Sequence, residues 1–210
     1  MTTCPHFTPP GGTAHPPGWR CRSTRSVAQY AAGWPPTSHA GRVALLAADV
    51  ARQLNLPPAQ VRDACLAGLL HDIGKLLVPR AVREKTGPLN GQEWRQMQRH
   101  PVYSAHLTGL LLCASGQVRQ AVRHHHERLD GAGYPDRLLG DEVPLLARIL
   151  AVCDVYDALI SPRSYKRAWS QEAVWHELTA KCGQHFDRQV VMALGQVRGQ
   201  PLGEGQATVA

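Results

Sequence analysis

Apolar side chains recur at steps of three and four residues along most of the chain from residue 38 onward. One such stripe covers residues 43–54 and ends at Pro57-Pro58. A second stripe covers residues 61–69 and leads directly into His71-Asp72. This spacing predicts amphipathic α-helices, and the alternation of polar and apolar residues that is typical of strands is nearly absent.

Capping and breaking residues divide the rest of the chain into further helices. Asn90 followed by Glu93 is typical of a capping box, and that helix is expected to run to His100 and to be interrupted at Pro101. The segment 127–143 is rich in Gly, Asp and Pro and predicts a long ordered loop. Further helices are predicted over about 102–113, 117–126, 144–160, 171–181 and 188–197, the last capped by Asp187. The fold class is therefore all-α, a helical bundle with functional loops.

The two ends of the chain differ from this pattern. Residues 1–36 hold seven of the sixteen prolines and many Gly, Thr and Ser residues, which predicts a flexible tail with one short helix near 27–32. The chain therefore divides into this tail, a domain over 37–198 and a flexible C-terminal tail over 199–210.

The composition excludes several classes of protein. With 210 residues, 43% of them hydrophobic, the chain suits one domain and is too apolar for a disordered protein. No apolar stretch approaches the ~20 residues of a membrane span. The first residues also lack the charged start and apolar run of a secretory signal. We therefore expect a cytoplasmic protein without membrane contact. None of the six cysteines forms a C-x-x-C pair, which argues against thiolate zinc or redox motifs.

The net charge of +7 does not indicate a nucleic-acid-binding protein. Three of the basic residues, Arg20, Arg22 and Arg25, lie in the predicted tail, and the other 174 residues carry 20 basic and 16 acidic groups without basic runs. A nucleic-acid-binding surface usually has denser basic patches. A site for a small phosphorylated ligand needs only two or three cations.

His71-Asp72 is the first candidate for chemistry. An imidazole nitrogen and an adjacent carboxylate can bind one metal ion, and the second carboxylate oxygen can bridge to another. On the dipeptide alone, the favoured interpretation is a His that ends a helix, followed by a cap-like Asp. Asp154 adds weight to the metal hypothesis, because a carboxylate in an apolar helix is costly to bury without a partner charge or a metal. Further imidazoles stand at His39, His100 and His124-His125-His126. The mixture of nitrogen and oxygen donors suits iron or manganese better than a closed structural zinc site.

Several motifs in sequence order make residues 38–198 resemble the HD-GYP family, a branch of the HD-domain metal-dependent phosphohydrolases. These motifs are His39 before an Arg-Val helix, His71-Asp72-Ile73-Gly74-Lys75, His100-Pro101, His125-His126-Glu127, Asp130-Gly131-Ala132-Gly133-Tyr134-Pro135, Asp154-Val155-Tyr156-Asp157-Ala158 and Arg163-Ser164-Tyr165-Lys166. The resemblance implies an HD-domain bundle of about seven or more helices with a C-terminal helical extension.

The resemblance also implies a centre of two divalent metals. By position, His39, His71, Asp72 and Asp154 match the ligands of one metal. Asp72, His100, His125 and His126 match those of the other, so that Asp72 would bridge the two ions and His124 would flank the site. Some family members carry a Glu for a third metal, where this chain has Pro35, so two metals are expected.

The resemblance further implies hydrolysis of cyclic di-GMP to linear pGpG through a metal-bridging hydroxide, and a further step to GMP is left open. Asp72 and Lys75 would act at the reacting phosphate, and Arg163 and Lys166 match residues that grip the ligand phosphates. Asp157 would orient Lys75 or bind guanine, although a surface Asp explains it nearly as well. The alternative interpretation of Lys75 is a solvated lysine without a role in catalysis.

The loop Gly133-Tyr134-Pro135 has two interpretations that can both hold, and the sequence does not separate them. It is a rigid turn that positions the preceding histidines, and in the family it is linked to contacts with diguanylate cyclase (GGDEF-type) domains. The alternatives to the main hypothesis are a hydrolase of another cyclic dinucleotide or nucleotide, and a non-catalytic sensor of cyclic di-GMP. A homodimer is left open.

Overall fold

A computed structural model describes residues 37–112, 114–162 and 168–200. In these ranges the chain is helical. The α-helices are α1 His39–Gln53, α2 Pro58–Leu70, α3 Arg80–Arg83, α4 Gly91–Met97, α5 His100–Leu112, α6 Gly116–His124, α7 Leu145–Ile160, α8 Gln171–Ala180 and α9 Arg188–Val197. Short 3-10 helices cover Ile73–Leu77 and Gly140–Glu142. The described ranges contain two isolated β-bridges and no strand, which confirms the all-α prediction.

The predicted tail over 1–36, its short helix and most of the C-terminal tail lie outside the described residues. The long loop over 127–143 is well packed: Asp130 and Leu139 form one of the isolated bridges, and Val143 is buried. Within the described ranges, no helix has both the length and the apolar character that crossing a bilayer would require.

The core lies where α1 and α2 pack against α6 and α7, and α8 and α9 close one side of it. Each of these six helices turns a small or branched apolar stripe inward, as the spacing predicts. Among the largest fully buried side chains are Val43, Val50, Val118, Ile149, Leu150, Leu178 and Leu194. Burial of one such side chain stabilises the fold by about 1.5–3 kcal/mol.

Capping residues define where several helices begin. Ser38 Oγ accepts a hydrogen bond from the Gly41 amide at 3.1 Å, so that His39 is the first residue of α1. Asn90 and Glu93 form the predicted capping box of α4, and Asp187 caps α9 as expected. These side chains satisfy amides that have no partner within the helix.

The prediction that a helix runs to His100 and is interrupted at Pro101 is wrong. Helix α4 ends at Met97, and His100 begins the next helix instead of ending the previous one. Pro101 is the second residue of α5, in the first turn, where a missing N–H breaks no helical hydrogen bond. His100 is therefore held at a helix start.

The turn after His71-Asp72 packs directly on the start of α5. A Cβ at Gly74 would lie 2.2 Å from the His100 carbonyl oxygen and 2.4 Å from the Ser104 nitrogen. The Gly74 amide instead donates to Ser104 Oγ at 2.8 Å. Only glycine allows this approach, which brings His71 and Asp72 beside His100.

Candidate metal centre

Three buried histidines stand at helix ends with the same local hydrogen bond. The Nδ1 atoms of His71, His100 and His125 lie 2.7, 2.8 and 2.7 Å from the carbonyl oxygens three residues earlier in the chain. A carbonyl only accepts, so each Nδ1 carries a proton, and in the neutral form of each ring Nε2 keeps its lone pair. The three Nε2 atoms are buried and have no hydrogen-bond partner within the described ranges. Unpaired lone pairs that are held in this way are typical of metal-binding histidines.

Asp72 lies between two of these imidazoles. Its Oδ2 is 3.4 Å from His71 Nε2, and its Oδ1 is 3.3 Å from His100 Nε2. Oδ1 is buried and has no hydrogen-bond partner among the described residues. Burial alone would raise the pKa of Asp72, but the neighbouring His71, His100 and Lys75 hold it well below its usual range. The carboxylate is therefore charged and offers one oxygen to each side.

His39 reaches the site from the start of α1. Its Nε2 is 3.0 Å from Asp154 Oδ1, and its Nδ1 is 2.7 Å from Asp157 Oδ2. These two hydrogen bonds raise the pKa of His39 to about 9. In the metal-free protein His39 is thus an imidazolium between two carboxylates, and binding a metal through Nε2 would release a proton.

Asp157 contacts the opposite side of His39 from the site. Arg42, one turn after His39 on α1, donates from Nε to Asp157 Oδ1 at 2.7 Å and from Nη2 to Oδ2 at 2.9 Å. The expectation that Asp157 orients Lys75 is wrong, because the Lys75 ammonium lies 2.6 Å from Asp72 Oδ2 instead. Asp157 orients His39.

His125 and His126 complete the cluster of imidazoles. Burial lowers the pKa of His126 to about 4 and that of His125 well below its usual range, so both rings are neutral near pH 7. The His126 ring centroid is 5.0 Å from that of His100 and 4.9 Å from that of Tyr134. Neutral imidazoles are the form that binds metals.

All seven residues that the resemblance implies as metal ligands converge in the structure. Three groups of side chains offer ligand atoms within 4.8 Å of one another: His39, His71 and Asp154; His71, Asp72 and His125; and His100, His125 and His126. The four orphaned buried atoms described above point into these groups. The donor set fits divalent metal ions that accept nitrogen and oxygen ligands.

Two predicted phosphate-binding residues, Arg163 and Lys166, lie outside the described residues. The loop Gly133–Pro135 lies beside the centre, since the Tyr134 ring packs on His126. A Cβ at Gly133 would lie 2.4 Å from the Arg128 nitrogen and 2.5 Å from the Glu127 Cα, so the loop folds back tightly on the residues after the histidines. This contact supports the interpretation of the loop as a positioning turn.

Glu127 has a role that the sequence did not indicate. Its side chain is 3% exposed, and its carboxylate accepts the backbone amides of Asp136, Arg137 and Leu138 at 2.6, 3.0 and 3.2 Å. It therefore ties the end of the loop to the residue after His126. The only sequence signal for this role was the position of a charged residue, Glu127, directly after two candidate ligands.

His124, expected only to flank the site, belongs to a second network. Its Nε2 is 2.8 Å from Asp136 Oδ2, and Arg123 donates to both oxygens of the same carboxylate at 2.7 Å. The cation Arg123 and the hydrogen bond from His124 lower the pKa of Asp136 to about 2. Arg42 was the other unpredicted residue, and its partner lies 115 residues away in sequence.

A family model described as "HD domain" matches residues 25–190. The chain belongs to the HD-domain family. This membership fits the geometry, in which the His71-Asp72 pair belongs to the convergent side chains and His71 is shared by two of the three groups.

Relatives of this HD-domain chain carry names of one activity class. It is 45% identical over 168 residues to a cyclic di-GMP phosphodiesterase of Pseudomonas aeruginosa, covering 79% of this chain and 40% of the relative. It is 39% identical over 158 residues to 3′3′-cGAMP-specific phosphodiesterase 2 of Vibrio cholerae, covering 75% of this chain and 30% of the relative. The chain thus spans less than half the length of these curated relatives.

Among solved structures, an HDG"Y"P protein of Bdellovibrio bacteriovorus superposes with a TM-score of 0.62 at 19% identity, over 77% of this chain and 51% of the other. That likeness supports the helical HD fold. The family model and the named relatives bear out the resemblance to HD-domain phosphodiesterases.

Proposed function

We propose that this HD domain, residues 37–198, is a phosphodiesterase that hydrolyses cyclic di-GMP to linear pGpG, and pGpG further to GMP. The observation that carries the proposal is the Asp72 carboxylate, which presents one oxygen toward His71 and the other toward His100. A carboxylate in this position can be shared by two cations. The similarity to a cyclic di-GMP phosphodiesterase favours this substrate.

The proposal includes two divalent metal ions, iron or manganese, which the mixed nitrogen and oxygen donors suit. His39, His71, Asp72 and Asp154 would hold one ion, and Asp72, His100, His125 and His126 the other. Such ions lower the pKa of water and stabilise negative charge on phosphoryl oxygens.

The protein's own residues prepare the site for a dinucleotide phosphate. Buried imidazoles with fixed Nδ1 hydrogen bonds hold the donor atoms in place without rearrangement, which favours catalysis by preorganisation. Lys75 brings an ammonium group, 38% exposed, to the edge of the site, where it can contact a phosphoryl oxygen. Arg163 and Lys166 are proposed to grip the ligand phosphates.

The reaction balances as a hydrolysis. Water adds its oxygen to one phosphorus atom, the bond from that phosphorus to the 3′-oxygen breaks, and the released 3′-oxygen takes a proton. The products of the first step are a 5′-phosphate monoester and a free 3′-hydroxyl on one linear dinucleotide. The second step repeats this chemistry at the remaining diester bond.

A hybrid cyclic dinucleotide is the second candidate substrate, because a 39% identical relative is named for 3′3′-cGAMP. The same fold and centre would serve it. A diguanylate cyclase domain at the Gly133–Pro135 loop, a homodimer and a cytoplasmic location remain predictions from the sequence.

The test uses the whole chain, purified without oxygen and loaded with Fe(II) or Mn(II). Cyclic di-GMP and 3′3′-cGAMP are each followed by chromatography, with His100→Ala as the site variant. The control is His106→Ala, which removes an exposed histidine from the same helix α5. We expect pGpG from the wild type and the control and none from His100→Ala. Tight binding of cyclic di-GMP without any product in either metal would refute the enzymatic proposal in favour of a sensor.

A further inference from the structure

A groove of about 560 Å³ lies beside Tyr134. Helix α4 and the turn after it form one wall, and the loop Gly131–Arg137 forms the other. Tyr134 belongs to both places, because it lines the groove while its ring packs 4.9 Å from the His126 ring. The groove is therefore separate from the candidate ligands and adjacent to them.

Three arginines line this groove: Arg95, Arg99 and Arg137. No aspartate or glutamate lines it among the described residues. The nearest carboxylates on the loop are engaged elsewhere, Asp130 by Arg128 and Asp136 by Arg123. Within the described part of the chain, the three guanidinium groups form no ion pair. The groove thus concentrates positive charge that none of the described residues neutralises through an ion pair.

The rest of the lining suits a small organic anion. Val102, Tyr134 and Pro135 provide apolar surface, and Gln98 provides an amide. Volumes of this order are typical of sites for small ligands and exceed what inorganic phosphate alone requires. Guanidinium groups bind phosphate oxygens in a bidentate manner, and a phosphate monoester has three terminal oxygens for them.

Two contacts hold the walls of the groove in place. Glu127 binds the Arg137 amide at 3.0 Å, and the Trp94 and Tyr134 rings meet edge to face at 6.2 Å between centroids. Arg99 immediately precedes His100, the first residue of α5. The backbone segments that carry the three arginines are therefore held by the same elements that build the metal centre.

We propose that this arginine groove binds the phosphate monoester of a nucleotide. If the proposed function holds, the nearest source is the 5′-phosphate of the linear product, which would form at the adjacent centre. Free phosphate is the other source of the same chemistry. A product whose phosphate is bound in the groove would leave the protein more slowly. Binding in the groove would therefore limit how fast the metal centre becomes free after each hydrolysis.

The test measures binding and requires no hydrolysis. The whole chain is treated with a chelator, and 5′-GMP, guanosine and inorganic phosphate are titrated separately by calorimetry. The site variants are Arg95→Gln, Arg99→Gln and Arg137→Gln. The matched control is Arg62→Gln, an exposed arginine on α2 that does not line the groove. Thermal unfolding verifies that each variant is folded.

We expect 5′-GMP to bind and guanosine to fail, with each groove variant weakening 5′-GMP binding roughly tenfold because a charged hydrogen bond is lost. Arg62→Gln should leave the affinity unchanged. Equal affinity for inorganic phosphate and 5′-GMP would assign the groove to free phosphate and overturn its assignment to a nucleotide. Absence of 5′-GMP binding, or binding that none of the three groove variants weakens, would overturn the proposal.

A short polyglutamate peptide is titrated in parallel. If it bound with the same dependence on the arginines while 5′-GMP did not, the groove would be an acidic-peptide site and the nucleotide proposal would be wrong. Because the chelated protein is used throughout, loss of hydrolytic activity in the separate chromatographic assay would leave this binding test valid.

Discussion

Arg42 holds the Asp157 carboxylate through two hydrogen bonds, 2.7 Å from Nε to Oδ1 and 2.9 Å from Nη2 to Oδ2. The same carboxylate contacts His39 Nδ1 at 2.7 Å. A chain of guanidinium, carboxylate and imidazole therefore fixes the orientation of a proposed metal ligand. Arg42 and Asp157 act through His39 and are positioning residues.

Replacement of Arg42 is the first prediction. In Arg42→Gln the bidentate contact is lost, Asp157 gains freedom and the His39 ring is less well oriented. We expect the affinity for the metal held by His39 to fall about 10–100-fold, as is usual when an outer partner of a metal ligand is removed. Competitive titration with a metal indicator checks this.

The control for Arg42 is Arg52→Gln, which removes an exposed arginine from the other end of α1. It should leave both metal affinities unchanged. An equal loss of affinity for both ions in Arg42→Gln would show that the helix, and not His39 alone, had moved.

Removal of the Asp72 carboxylate is the second prediction. Because one oxygen faces His71 and the other faces His100, Asp72→Ala should remove both metals, and elemental analysis after dialysis should find none bound. Asp49→Asn, at an exposed position on α1, should retain full metal content. Retention of one equivalent of metal in Asp72→Ala would contradict the bridging assignment.

The third prediction concerns Glu127, whose carboxylate accepts three backbone amides while almost fully buried. In Glu127→Gln one acceptor oxygen becomes an NH2 group that cannot accept from an amide. We expect the free energy of unfolding to fall by about 2 kcal/mol, since hydrogen bonds to a buried charged group are lost. Urea denaturation measures this change.

Hydrogen exchange adds a local readout to the Glu127 experiment. The amides of residues 136–138 should exchange faster in Glu127→Gln, whereas those of α9 should not change until global unfolding. Glu172→Gln, in the exposed first turn of α8, serves as the control and should change neither quantity.

The fourth prediction is a pH dependence of stability that arises from Asp136. Its pKa of about 2 in the folded protein lies below its usual value of 3.8, because Arg123 and His124 favour the charged form. The contribution of Asp136 to stability is therefore fully present above about pH 4. It is lost as the pH falls through about 2, where the folded protein takes up the proton.

Comparison of the wild type with Asp136→Asn checks this dependence. The difference between their free energies of unfolding should be constant above pH 5 and should shrink as the pH falls toward 2. Urea denaturation at several pH values gives this difference. A difference that stayed constant down to pH 2 would show that the Arg123–Asp136 contact contributes nothing to stability.

The fifth prediction concerns the contact between Gly74 and α5. In Gly74→Ala the new Cβ would meet the His100 carbonyl oxygen, so the start of α5 must move away from Asp72. We expect a lower free energy of unfolding and weaker binding of the metal ion that includes His100 among its proposed ligands. Binding of the ion that includes His39 should be less affected. Gly87→Ala is the control, because a Cβ there meets no atom within 4 Å.

Local signals predicted the helices well. The capping box at Asn90 and Glu93 and the cap at Asp187 were both confirmed, because each depends on atoms within three residues. Pro101 was misinterpreted as an interruption, because a proline can either end a helix or stand in the first turn of the next one. The two cases differ in the backbone path of the residues before the proline. That path depends on the packing of α5 against Gly74.

The resemblance predicted which histidines and aspartates would lie together, since a family pattern fixes residue types and their order along the chain. In the structure they form three overlapping groups of three, with ligand atoms within 4.8 Å of one another in each group, and their role as metal ligands stays a prediction. The partners of those ligands were not predictable. Asp157 was expected near Lys75, but it contacts Arg42 and His39, which lie more than 110 residues earlier.

The sequence by itself determined the helical class, the main helix boundaries and the set of histidines and aspartates, because helical periodicity, caps and motif order are properties of neighbouring residues. Only the tertiary structure decided which oxygen of Asp72 faces which imidazole, how Glu127 ties the loop, and where three arginines meet. Those relationships join residues that are distant in the chain, and they follow from how the helices pack.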